Sequence, residues 1–137
     1  MPPRLRPVNA ETISRRLELR PDTVALGAAK VSYDRLGQDA ETDGHTGLAT
    51  EVFELATDLQ DLIDTPEPRG LVASARMIQD MDGLVLRASD LRANVAGAYD
   101  RFDSHTAWAT EAMEILIATV VKLEAADLEL RTGTRAA

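Results

Sequence analysis

The sequence predicts an all-α protein: an antiparallel bundle of long helices, preceded by a short helical pair and an extended N-terminal arm. Three observations lead there. From Leu71 to Phe102 the apolar residues Leu71, Ala75, Ile78, Met81, Val85, Ala88, Leu91, Val95, Ala98 and Phe102 recur in steps of three and four, which holds them on one helical face. A second segment of this kind runs from about His105 to Leu130. Aromatic residues make up only 4% of a chain that is 45% hydrophobic. A core of Leu, Ala, Val, Ile and Met suits close helix packing rather than a β-sandwich.

The elements follow in order. Pro2, Pro3 and Pro7 keep residues 1–9 out of regular helix and make them an extended basic arm. Asn9 is placed to cap a helix over Ala10–Leu19. Pro21 fits the first position of the next helix, expected to run to about Leu36 and to stop at Gly37. These two helices form the short pair, residues 10–37. Gln38–Gly47, polar and without apolar periodicity, reads as a loop separating that pair from a body at residues 48–131, within one domain overall. Leu48, Val52, Leu55, Leu59 and Leu62 share one face of a helix that ends at Thr65-Pro66-Glu67-Pro68. The long helix Arg69–Phe102 comes next, with Gly83 as its weak point. Asp103-Ser104 caps a last helix reaching about Arg131. Short connections between long helices imply an antiparallel bundle. A helix of 34 residues beside shorter neighbours would leave apolar surface uncovered, which predicts a homo-oligomer or a protein partner.

Charge divides the chain. Residues 1–37 carry seven basic and four acidic groups, whereas the remainder carries eight basic and nineteen acidic ones. Such a basic front can dock on the acidic body of a neighbouring copy or on another anion. The absence of cysteine removes disulfides and thiolate chemistry. The longest apolar run, Ile115–Val121, is far short of the roughly 20 residues of a membrane span. No signal-peptide core follows the basic N-terminus. The expectation is a soluble protein, cytoplasmic or virion-associated, with no membrane partner.

Candidate chemistry is sparse. Glu51, Glu54, Asp58 and Asp61 fall on one helix face at spacings a divalent metal would need. All-α nucleotide pyrophosphatases hold magnesium on helical carboxylates of this kind, making a metal-dependent pyrophosphatase a remote alternative. Asp80, Asp82 and Asp90 do not reproduce the second acidic motif of that family. The simpler reading is a solvated helix face, with no metal or cofactor. His45 and His105 are not expected to build a helical metal site, although His105 beside Asp103 could form an acid–base pair. Phosphate-binding, dinucleotide and serine-hydrolase signatures are missing, and no small-molecule substrate is indicated.

Tyr99, Phe102 and Trp108 gather at the turn between the last two helices. They are read first as a plug for the bundle end and second as partner anchors. Tyr99 and Asp103 also form a Tyr-x-x-x-Asp pattern resembling a type VII secretion signal, without its Trp-x-Gly turn. The stretch from Thr12 to Val24 resembles the helix–turn–helix of bacterial regulators, with Ile13, Leu17, Leu19 and Val24 at its apolar positions and Ser14 at the helix crossing. Glu18 replaces the usual turn glycine, and Thr23–Lys30 offers few groups that read bases. The resemblance implies a small DNA-binding regulator, using residues 11–31, with Arg15, Arg16 and Arg20 on phosphates. The favoured expectation is a non-catalytic, self-assembling or partner-binding helical subunit of a larger assembly, such as a virion or secretion particle. Its contact residues would be Arg4, Arg6, Arg15, Arg16, Tyr99, Phe102 and Trp108.

Overall fold

The computed structural model describes residues 21–65 and 71–132. They form four helices: α1 (Thr23–Thr42), α2 (Thr46–Asp64), α3 (Leu71–Tyr99) and α4 (Ser104–Thr132). The expected arm, the helix over 10–19 and most of the regulator-like segment, with Arg4, Arg6, Arg15 and Arg16, lie outside the described residues.

The chain runs up and down four times. α1 packs on α2 and α4, and α3 packs closely on α4 and more lightly on α2. One apolar core joins all four helices. It includes Leu26, Tyr33 and Leu36 of α1, Val52, Leu55 and Leu59 of α2, Met81, Leu91 and Val95 of α3, and Ala112, Leu116 and Leu123 of α4. α1 is therefore packed into the same core as the body. Among the described residues, no helix is long and apolar enough to cross a membrane.

The start of α1 departs slightly from expectation. Pro21 precedes the helix, and Asp22 is the cap, its carboxylate accepting the Ala25 N–H at 3.1 Å. The end departs more. α1 passes straight through Gly37 and ends five residues later, at Thr42. The stop is Gly44, at φ +84, a left-handed conformation that glycine adopts without strain. The N–H of Gly44 donates to Glu41 O and that of His45 to Ala40 O, the paired closure of a glycine-terminated helix. Gly37 serves packing instead. A Cβ there would lie 2.6 Å from the Phe53 ring, so the missing side chain lets α1 and α2 approach.

The long helix also differs. α3 is 29 residues, continuous through Gly83, and its neighbour α4 is 29 residues as well. The length mismatch lies elsewhere. α1 and α2 have 20 and 19 residues, and both hairpin turns sit at the same end of the bundle. The α3–α4 pair thus projects past α1–α2 at the other end by roughly 14 Å. Within α3 the core takes Met77 and Leu84, leaving Ile78 and Val85 half-buried at the α3–α4 edge. The expected stripe mixes these two adjacent rows.

Between α3 and α4 the turn is tight. Asp103 is the N-cap of α4, its Oδ1 accepting the His105 N–H at 2.8 Å. Thr106 Oγ1 donates to Asp100 O at 2.5 Å. Asp100 itself stands at φ 129, a region that costs a non-glycine residue energy.

Candidate functional site

The richest polar arrangement is where the two turns meet. His105, in the first turn of α4, has its side chain 17% exposed and a carboxylate at each ring nitrogen. Nδ1 lies 2.5 Å from Asp103 Oδ1, and Nε2 lies 2.9 Å from Asp39 Oδ2 on α1. Both contacts are hydrogen bonds only when both nitrogens carry hydrogen, so the arrangement fits the imidazolium. Burial by itself pulls the His105 pKa down. The hydrogen bonds to Asp103 and Asp39, with the charges of both, outweigh that and set it above the ordinary histidine value. Asp103 is held below the usual carboxylate value, first by the His105 backbone N–H and then by its ring.

Aromatic rings extend this joint. Tyr99 stacks on His105 with centroids 4.1 Å apart and an 18° angle between the planes. His45 meets the other side of Tyr99 edge-on at 5.0 Å, and Trp108 meets His105 edge-on at 5.0 Å. The Arg35 guanidinium lies 5.0 Å from the Trp108 ring centroid, within cation–π range. Tyr99 OH donates to Asp43 Oδ2 at 2.7 Å, tying the end of α3 to the α1–α2 turn. Burial first, then that hydrogen bond and the nearby carboxylates, push the Tyr99 hydroxyl well above the ordinary phenol range.

The three expected aromatic contacts therefore separate. Tyr99 and Trp108 belong to the joint, whereas Phe102 is 84% exposed at the tip of the turn. Arg101 lies over its ring, 4.8 Å from the centroid. Asp39, Asp43 and Arg35 joined no predicted constellation. Their one sequence-level signal is Asp39 and Asp43 at an i, i+4 spacing near a helix end, which is too common to single out.

The acidic row on α2 is divided among several contacts. Both Glu51 carboxylate oxygens accept from Asn94 Nδ2 of α3 at 3.1 Å. Asp58 pairs with Arg87 of α3 at 2.5 Å. Asp61 lines, with Asp80, Thr65 and Arg87, an open cleft of about 390 Å³ between α2 and α3. Among the described residues, no group of three or more His, Asp or Glu side chains is arranged to hold a metal ion. Thr23–Lys30, the expected recognition helix, forms the first two turns of α1 and buries Leu26 and Ala29 in the core.

Comparison with known protein families, curated proteins and solved structures finds no match. The functional reading therefore rests on the geometry.

At the other end of the bundle, Ala75 and Ile78 of α3 face Glu124, Asp127 and Leu128 of α4 across an open groove of about 510 Å³. Leu128 is 62% exposed there. Asp127 Oδ2 accepts from Arg131 Nε at 2.6 Å, while Asp127 Oδ1 has no hydrogen-bond partner.

Proposed function

We propose that this protein is a non-catalytic, self-associating helical subunit of a larger assembly, working in the cytoplasm or in a particle such as a virion. The observation that carries the reading is the pattern of its exposed apolar residues. Ile117, Val121 and Leu128, between 40% and 62% exposed, form a row along α4 at steps of four and seven that keep them in register on one helical stripe. Val24 and Val31, 83% and 65% exposed, form a shorter stripe on α1. Single exposed apolar residues are common, but aligned rows mark contact surfaces. The polar groups support the same reading. Both ring nitrogens of His105 face carboxylates, and Glu51 and Asp58 are bonded across the helix interface. These groups serve architecture.

The basic arm has a role in this proposal. Arg4, Arg6, Arg15 and Arg16 would engage carboxylates on a neighbouring copy, with exposed Glu54 of the α2 row among them. Light scattering across a concentration series, at low and moderate salt, tests the reading. A defined oligomer is expected, smaller at moderate salt. Removal of residues 1–9 should lower the mass at a given concentration and leave the helical content unchanged. A monomer at every concentration overturns the proposal.

A further inference from the structure

We propose that copies of this chain associate head to tail, the Arg101–Phe102 tip of one docking in the α3–α4 groove of the next. The inference rests on the self-association reading above and specifies its interface. Three observations point to it. First, the tip is a rigid apolar–cationic knob. Phe102 is 84% exposed beneath the Arg101 guanidinium. The turn that carries it is fixed by Thr106 Oγ1 on Asp100 O, by the Asp103 N–H on Asp100 O at 3.2 Å, and by the Asp103 cap. A preorganised aromatic loses little freedom on docking, and aromatic and arginine side chains dominate binding energy in protein interfaces.

Second, the groove has the matching chemistry. Its walls are apolar at Ala75, Ile78 and Leu128, and its charged groups are Glu124 and the Asp127–Arg131 pair, which leaves Glu124 as the acidic group for an incoming cation. Its volume of about 510 Å³ accommodates a ring with its cationic neighbour. Glu124 is exposed on the rim and brings a negative charge, whereas Asp127 is already paired with Arg131. Arg101 fits this rim by charge, as Phe102 fits the walls by apolarity.

Third, the two features cannot meet within one copy. Knob and groove lie at opposite ends of the same 29-residue helices, about 40 Å apart at 1.5 Å per residue. Pairing must therefore occur in trans. Because two different surfaces are joined, the contact is heterologous and propagates into a chain or closes into a ring. Among the described residues, the overhang of α3–α4 past α1–α2 leaves the groove open to an incoming tip.

Two surface variants test the proposal. Phe102→Asp removes the knob and keeps the groove, and Leu128→Asp does the reverse. Both positions are exposed, and circular dichroism checks that each variant is folded. By sedimentation velocity, the wild-type protein should form open or closed multimers, and each variant alone should lose this association by tenfold or more. An equimolar mixture should form a dimer and nothing larger, because one intact knob and one intact groove remain in each pair. Glu124→Arg should weaken assembly, and Arg101→Glu in its partner should restore it. A wild-type oligomer whose mass neither variant changes overturns the docking mode and leaves self-association standing. Loss of assembly in both variants with no dimer in the mixture overturns the heterologous contact. A wild-type monomer overturns both readings.

Discussion

The two ends of this bundle are held together by different physics. At the turn end, polar and aromatic groups from α1, α3 and α4 meet at fixed distances around His105. At the far end, the projecting α3–α4 pair has Val120 and Leu123 in the core and an open groove beside them. Apolar packing is strong and indifferent to direction, so it sets how firmly helices associate. Hydrogen-bonded groups contribute less net free energy and tolerate one arrangement only, so they set which turns meet. The turn end supplies register, and the far end, among the described residues, keeps apolar side chains such as Leu128 exposed.

The largest expected effect breaks the apolar end. Leu123 is 1% exposed, and Leu123→Ala should lower unfolding free energy by about 3 kcal/mol through lost burial and a residual cavity. Chemical denaturation reads this directly, and the loss should be the same at pH 5.5 and pH 8.5. A loss below about 1 kcal/mol would mean that the end collapses around the smaller side chain.

Next comes the pH dependence of the turn end. Because the His105 pKa is raised on folding, its contribution is complete below the ordinary histidine value of 6.5 and is lost as pH rises through the higher folded value. Asp103, held below its ordinary value of 3.8, contributes above that value and loses its contribution as pH falls through the lower folded one. The joint is therefore strongest in the mildly acidic range between those limits. Wild-type protein should exceed His105→Gln in midpoint denaturant concentration at about pH 5.5, and the gap should narrow by about pH 8.5. A gap that does not change with pH would show that ring contacts with Tyr99 and Trp108, rather than charge, make the joint.

Smaller effects sharpen the contrast. Asp100→Gly relieves the φ 129 conformation and should raise stability by about 1 kcal/mol, read as a higher melting temperature. An unchanged or lower value would mean that the Asp100 side chain contributes as much as its backbone costs. Tyr33 offers the smallest effect. Its hydroxyl is buried in the core without a hydrogen-bond partner, and burial pushes its pKa up. Tyr33→Phe should be neutral or stabilising by up to about 1 kcal/mol. A clear loss would indicate that the hydroxyl is satisfied by water in solution.

How much of this was legible in the sequence depends on the range of each interaction. The helices were readable because apolar spacing is a local property, and Val52, Leu55, Leu59, Leu62, Leu91 and Val95 take the core positions expected of them. Gly37 reads as a helix stop because a glycine that ends a helix and a glycine that admits a neighbouring ring look alike without the neighbour. Phe53 lies sixteen residues away and on another helix. The α3 stripe was blurred because Met77 and Leu84 stand next to Ile78 and Val85, giving two apolar rows for one core. The His105 joint was legible only in half. Asp103 is two residues off, but Asp39 is 66 residues away and enters only when both turns reach one pole. The aromatic trio could not be divided in advance, since plug and tip differ by where α3 ends, at Tyr99 rather than Phe102.

The closure at Gly44 also bears on how the chain folds. Its hydrogen bonds link residues no more than five apart, so the reversal of direction between α1 and α2 requires no help from the rest of the molecule. The Asp100–Asp103 turn likewise closes through nearby residues. Each hairpin can therefore form as a unit of low contact order, on a fast timescale, before the two dock. Asp39 on His105 and Asp43 on Tyr99 are formed only in the docking step, which makes the turn-end joint a late event and its loss an accelerator of unfolding rather than a brake on folding.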